Sequence, residues 1–417
     1  MYSTDIIILF ATRVTRLFAY GFLSVILVLY LVQVGLHERE IGLLLTLALA
    51  GDAVVSLWIT ISADRIGRRT MLIIGSLLMS FAGLVFISTG NFFLLMLAAL
   101  IGVISPSGHE IGPFLSIEQA ALAQLVPGEK RTRVFAWYNL VGSFATATGA
   151  LFGGLLAKKL QDMGFMPVES YQVVLAGYII CGIILVLLFL CLSPVIETAA
   201  RINAGRRTLG LHDSKGVVLK LSGLFALDAF AGGLIIQSIL AYWFYLKFGV
   251  DESILGAVFF GANILAGMSA LLAARIAARF GLINTMVFTH IPSNFLLCLV
   301  PLMPTLPLAV GVLLLRFSIS QMDVPTRQSY VMAVVAPDER SAAAGITAIA
   351  RSTGAALSPA ISGLFLAVPA LISVPFFLSG GLKIIYDLLL YRAFIKLKPP
   401  EEQASAGKNT IDTAKTE

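Results

Sequence analysis

Ten side chains in this sequence could bind a charged solute or carry a proton, and they fall into two groups within otherwise apolar stretches. The first is Arg13, Arg16, His109, Glu110 and Glu118; the second is Asp228, Gln237, Arg316, Asp323 and Arg327. A carboxylate in a low-dielectric surrounding resists ionisation and so exchanges a proton near neutrality, whereas one beside an arginine stays charged. Which acid has no arginine partner therefore decides where a proton can ride. Glu110 is the expected carrier, with Asp228 and Asp323 behind it. Asp323 and Arg327 stand four apart, a spacing that puts both on one helix face. Glu118 is expected to pair with Arg327. Arg13, Arg16 and Arg316 either neutralise such acids or hold an anionic solute, and Gln237 is a candidate wall residue.

Other chemistries have no support. The four histidines (His37, His109, His212 and His290) are scattered, and Cys181, Cys191 and Cys298 show neither disulfide nor metal spacing. The sequence has no G-x-x-x-x-G-K-[ST] loop, which speaks against ATP-driven work. The chain is expected to be no enzyme, to need no metal or cofactor, and to draw on a proton gradient.

The elements that position these residues follow from composition. Hydrophobic residues make up 58% of the 417 and charged ones 12%, with a mean hydropathy of +0.92. Soluble domains are nearer 45–50% apolar and about 25% charged, so the excess must face lipid. Runs of roughly 20 apolar residues suit helices that cross a bilayer. They predict twelve spans, near 5–34, 40–62, 70–90, 93–124, 134–157, 171–193, 219–246, 252–278, 283–304, 307–334, 341–366 and 370–394. The runs are continuous and do not alternate, which argues for helices over barrel strands. The first span holds Arg13 and Arg16 with no small-residue cleavage site after it, so it is expected to stay in the membrane rather than leave as a signal peptide.

Basic residues set the orientation, because Lys and Arg concentrate on cytoplasmic loops. With both ends in the cytoplasm, nineteen fall on inward segments and four on outward ones. The net charge of +6 is then a topology signal, and a nucleic-acid partner is not expected. A multi-pass protein of the cell membrane is the expected result.

The chain also repeats itself. Gly35, Gly42 and Gly67 match Gly249, Gly256 and Gly281 at a lag of 214, and Arg131 and Gly154 match Arg340 and Gly363 at 209. Two halves of six helices follow: 1–196 and 219–395, with a cytoplasmic linker at 197–218 and a disordered cytoplasmic tail at 396–417. Transporters use such repeats so that one half rocks against the other around a site at mid-depth.

The stretch "TISADRIGRR" between spans two and three carries a family signature. It resembles the major facilitator superfamily, whose loop there reads G-x-L-A-D-R-x-G-R-[KR]. Asp64, Arg65, Gly67, Arg68 and Arg69 match, while Thr60 and Ser62 replace the glycine and leucine, and Ala278 stands at the second-half counterpart of Asp64. The resemblance implies an all-α membrane protein with twelve transmembrane helices in two pseudo-symmetric six-helix bundles. It also implies alternating access for a small-molecule substrate and protons among membrane lipids, by a monomer. Asp64 would lie against the N-terminus of helix eleven, just after Arg340, where the helix dipole favours an anion. With Arg65, Gly67, Arg68, Arg69, Arg131 and Arg340 it would form a conformational latch. In the family, helices one, four, seven and ten line the central cavity, and eight of twelve intramembrane charges fall in them here.

Two further stretches sharpen the expectation. "ATGALFGG" (147–154) is similar to the G-P-x-x-G-G signature of the family's antiporters, with Gly149, Gly153 and Gly154 present and Ala150 at the proline position. Proton-coupled efflux is the reading this favours, with proton-coupled uptake of an organic anion or nutrient as the alternative. The same glycines could instead simply let helices approach. "ISPSGHEIGPFLSIEQ" (104–119) and "RFSISQMDVPTRQ" (316–328) carry prolines and glycines that should interrupt helices four and ten, the second at Pro325. Matched interruptions point to a transporter's site.

Overall fold

The computed structural model describes residues 2–108, 114–197, 211–336 and 339–397. His109, Glu110, most of the linker and the tail from 398 lie outside the described residues. All regular elements among the described residues are helices. In lipid the backbone must bond internally, and a helix does this within one segment.

The twelve expected spans are present, several in two pieces. Span one is Tyr2–Ser24 and Leu27–Gln33, span two Glu38–Ile66, and span three Arg68–Ser88. Span four is Phe92–Ile101 and Phe114–Leu125, span five Gly128–Asp162, and span six Pro167–Leu190. Span seven is Lys215–Gly233 and Gln237–Phe248, span eight Glu252–Phe280, and span nine Leu282–Leu299. Span ten is Leu306–Phe317 and Asp323–Val334, span eleven Arg340–Leu357 and Pro359–Leu366, and span twelve Val374–Phe394. Nine helices among the described residues are long and apolar enough to cross a membrane; spans four and ten are each built from two shorter pieces.

The repeat has a conformational cause. Gly67 links spans two and three at φ +114°, and Gly281 links spans eight and nine at φ +86°. A residue with a Cβ rarely adopts that backbone. The chain reverses abruptly at both places, so the same residue recurs.

We call the end bearing Arg65, Arg68, Arg69 and Arg340 the basic end and the other the far end. The two bundles are joined toward the far end. A Cβ on Gly154 of span five would stand 2.1 Å from the Glu252 carbonyl oxygen of span eight, and one on Gly42 of span two would stand 2.7 Å from that of Pro359 in span eleven. Backbones therefore meet there directly, which only glycine permits. Gln161 donates to Glu252 at 3.0 Å, Tyr171 donates to the same carboxylate, and the Ala360 N–H donates to Thr46 at 2.9 Å. One apolar core runs through the first bundle and the far half of the second. The basic half of the second bundle has a core of its own, built on Phe225, Met286, Tyr330 and Leu390. The halves thus share a core toward the far end, while the second bundle keeps a core of its own at the basic end.

Candidate functional site

The site begins where helices break. Span four ends its first piece at Ile101, and the Pro106 carbonyl that would have continued it accepts from the Ser238 hydroxyl at 2.7 Å and from the Ser238 N–H at 3.2 Å. Span seven is itself broken just before Ser238. Its Gln237 donates to Ser24 at 2.8 Å, at the end of the first piece of span one, and accepts from Asn263 of span eight at 3.1 Å. The interruptions of spans one, four and seven therefore satisfy one another's freed polar groups at one level, as lipid requires. Gln237, expected as a wall residue, is part of this knot between the bundles.

Span ten corrects the expected position of its interruption. The break falls at 318–322, before Asp323, and Pro325 sits in the first turn of the second piece. There its missing N–H leaves no helical bond unmade. Breaks in spans one, seven and eleven are additional to those read from the sequence.

On the basic side of the knot lie two charge clusters. In the first bundle Glu118 is fully buried and takes a fork from Arg16, at 2.8 and 2.6 Å. Thr12 donates to it at 2.7 Å and Tyr138 donates to its other oxygen. Bidentate geometry of this kind is the strong form of the contact. Arg13 lies over the Tyr138 ring at 4.6 Å and reaches Asn139 at 3.5 Å. The expected Glu118–Arg327 pair is therefore overturned: each residue is engaged within its own bundle, because a nearer partner of opposite charge was available.

In the second bundle one carboxylate serves three cations. Asp228 of span seven contacts Lys383 of span twelve at 2.6 Å, Arg327 of span ten at 3.1 Å and Arg351 of span eleven at 3.2 Å. Arg327 also holds Asp323 at 2.9 Å, so these two do share a face. Arg316 has no hydrogen bond or ion pair described among these residues; its guanidinium stands 5.0 Å from the Phe317 ring centroid. Beyond this cluster, His290 of span nine and Asp387 of span twelve meet at 2.8 Å, with Asn294 donating to the same carboxylate at 3.0 Å.

Lys383, Arg351, His290 and Asp387 were not among the expected site residues. The sequence held a signal for part of this, since Lys383 and Asp387 are four apart in an apolar helix.

The helix-five glycines pack spans together. A Cβ on Gly149 or Gly153 would meet the Phe18 or Phe22 carbonyl of span one at 2.0 or 2.3 Å. At the basic end the Asp64 side chain lies outside what the structure describes. Arg65, Arg131 and Arg340 are exposed. Arg131 donates to the Val126 carbonyl at 3.3 Å. Arg68 donates to Gln124 at 2.9 Å and to the Ile196 carbonyl at 3.1 Å, while Arg69 donates to the Phe189 carbonyl at 3.1 Å. Glu197 accepts the first two N–H groups of span three, from Arg68 at 2.7 Å and Arg69 at 3.1 Å, where the helix dipole favours an anion. In the second bundle Glu339 accepts from the N–H of Ser214 at 2.9 Å and of Asp213 at 3.0 Å at the start of span seven, and from that of His212. Hydrogen bonds from Ser214, His212 and Asp213 hold its carboxyl down at about 2.

Among the described residues no group of histidine, cysteine and acidic side chains is placed to hold a metal.

Comparison with known proteins agrees with this architecture. The model of the Major Facilitator Superfamily matches residues 9–322 and 229–417. An uncharacterized membrane protein of Saccharomyces cerevisiae, YJR124C, is 30% identical over 424 residues, covering 94% of each chain. The quinolone resistance protein NorA of Staphylococcus aureus is 25% identical over 145 residues, 35% of this chain and 36% of that protein. Among solved structures, a D-xylose–proton symporter aligns with a TM-score of 0.73 at 15% identity over 94% of this chain and 98% of that one. A bacterial homologue of the human lysosomal transporter Spinster, inward-facing and occupied, aligns with a TM-score of 0.72 at 17% identity over 95% and 98%.

Proposed function

Because the chain belongs to the major facilitator superfamily and has the fold of transporters of small solutes, we propose that it is a proton-coupled exporter of a small organic solute. It works by alternating access. The observation that carries this reading is the asymmetry of the seam. The bundles are joined from the knot to the far end and have separate cores at the basic end. Positive loops face the cytoplasm, so the end at which the bundles keep separate cores, with the charge clusters on its side of the knot, faces the cell interior, where a solute to be exported would load. The helix-five glycines and the partial similarity to a quinolone resistance protein support the same direction.

Alternating access asks that the far-end seam open while the basic end closes. Glu252 is held by Gln161 and Tyr171 and Thr46 by Ala360, a few polar contacts between apolar surfaces. Such contacts can be remade, whereas the Arg16–Glu118 fork holds the first half together. Asp64, at the basic end, would take up its place on helix eleven in the opposite state. The chain needs no cofactor, a monomer suffices, and the cell membrane is the setting.

Inverted vesicles carrying the protein test this. With an acid interior they should accumulate a fluorescent quinolone, and collapse of the gradient should release it. A second reading has one specific observation in its favour. Arg316, with no carboxylate partner described, suits uptake of an organic anion together with protons. Accumulation driven in right-side-out vesicles by an acid exterior would establish that direction and exclude export.

A further inference from the structure

We propose that the His290–Asp387 pair, on spans nine and twelve outside the central four helices, is where the coupling proton binds. The inference rests on the proton-coupled reading and assigns its site. It follows from sorting by partner the acids in and beside the two charge clusters on the basic side of the knot. Glu118 is held by Arg16, Asp323 by Arg327, and Asp228 by Lys383, Arg327 and Arg351. Each of these carboxylates has a cation in contact with it, and an adjacent cation favours the charged form. Asp387 differs. Its oxygens face the His290 Nδ1 at 2.8 Å and the Asn294 amide at 3.0 Å. The acid is 1% exposed and the histidine 4%.

Imidazole ordinarily titrates at about 6.5 and is the side chain most readily switched near neutrality. A buried imidazole and carboxylate in contact share their protons as one unit. The pair can therefore hold one proton more or one fewer, and no arginine is described in hydrogen-bond contact with Asp387. The proton arrives from bulk water and adds to the pair, whose charge rises by one; it leaves by the reverse step, with no other bond made or broken.

The pair also has a way to act on the site. Lys383 precedes Asp387 by one helical turn on the same buried face of span twelve and binds Asp228 at 2.6 Å. Asp228 in turn holds Arg327 and Arg351, on spans ten and eleven. The charged and titratable groups around the pair are thus Lys383 and Tyr386 on its own helix, Asp228 on span seven, Arg327 and Asp323 on span ten, and Arg351 on span eleven. Tyr386 stands edge-on to His290 with ring centroids 6.1 Å apart. Added positive charge at the pair competes with Lys383 for Asp228 and loosens the grip of Asp228 on spans ten and eleven. Span eleven forms the far-end seam with span two, so the change reaches the element that must move. The simpler alternative is a hydrogen bond that only fastens spans nine and twelve.

Proteoliposomes separate the two. For one proton per solute, a gradient of one pH unit drives about tenfold accumulation in the unmodified protein. Asp387→Asn and His290→Gln should each bring this to no accumulation, while solute exchange without a gradient continues and loses its inflection near neutral pH. Asp387→Glu, which keeps a titratable group, should restore gradient-driven accumulation. A purely fastening role would instead lower exchange and accumulation together and leave the pH profile unshifted. If either variant fails to fold, the other and Asp387→Glu carry the test. Full accumulation in both Asp387→Asn and His290→Gln overturns the assignment but leaves proton coupling standing, as does loss of coupling in Glu110→Gln alone. If the unmodified protein accumulates nothing under a gradient yet exchanges solute, proton coupling fails and this site with it.

Discussion

The two bundles share a repeated glycine pattern yet handle buried charge in opposite ways. In the first, Glu118 meets Arg16 through two parallel bonds and is closed off by Thr12 and Tyr138. Every oxygen is occupied and the arrangement has one solution. In the second, Asp228 is shared by Lys383, Arg327 and Arg351, and a histidine–aspartate pair lies next to the cluster. One cation can leave while two remain. A pair with one exact partner is a fastening, since removing either member strands a buried charge. A carboxylate with several partners has alternatives of similar energy, and a switch needs two such arrangements. The contrast assigns structural constancy to the first bundle and rearrangement to the second.

The contrast can be broken at several points. It presumes that the two bundles move against each other at the far-end seam, so fastening that seam should stop transport altogether. In a background without Cys181, Cys191 and Cys298, Thr46→Cys with Ala360→Cys should cross-link on oxidation, abolish exchange, and recover on reduction. Activity persisting in the cross-linked protein would mean that the seam is not the moving part.

The next largest effect is on stability. Arg16→Met leaves Glu118 without a cation among the described residues and should cost about 3–5 kcal/mol, read by denaturant unfolding in detergent. Adding Glu118→Leu should return most of it, because an apolar pair of similar volume carries no stranded charge. Lys383→Met should cost less than half as much, since Arg327 and Arg351 still hold Asp228. Equal losses at the two sites would erase the distinction between a single and a shared partner.

The smallest effects concern the carboxylates at the helix starts of the basic end. Glu197→Gln should cost about 0.3–1 kcal/mol by weakening the charge at the N-terminus of span three. Glu339 has a pH signature as well. Its carboxyl is held at about 2, below the ordinary 4.5. A depressed carboxyl stabilises fully above its ordinary value, and that contribution disappears as pH falls toward the depressed one. Glu339→Gln should therefore lower the melting temperature at neutral pH, with the gap to the unmodified protein closing between pH 4.5 and 2. A gap independent of pH would show that the charge does not matter there.

Much of this molecule was legible beforehand. Composition placed it in a membrane, and the lag of 214 between Gly67 and Gly281 marked two equivalent chain reversals that the positive φ angles explain. The interruption of span four was readable from Pro106 and Gly108. That of span ten was misplaced to Pro325 because proline is tolerated in a first turn, and the sequence does not say where the turn begins. The breaks of spans one and seven have no proline, and their stabilising partners, Gln237 and Ser238 with Ser24 and Pro106, come from three different spans.

By itself the sequence determined the lipid setting, the twelve crossings, the two-fold repeat and the concentration of charge in four helices. Each follows from local quantities: apolar length, backbone freedom and helical period. Only the tertiary structure decided that Arg16 takes Glu118, that Asp228 is divided among three spans, and that Asp387 faces a histidine. Helical period fixes which face a side chain occupies but not what stands opposite. In a low-dielectric interior a difference of an ångström or two selects the partner.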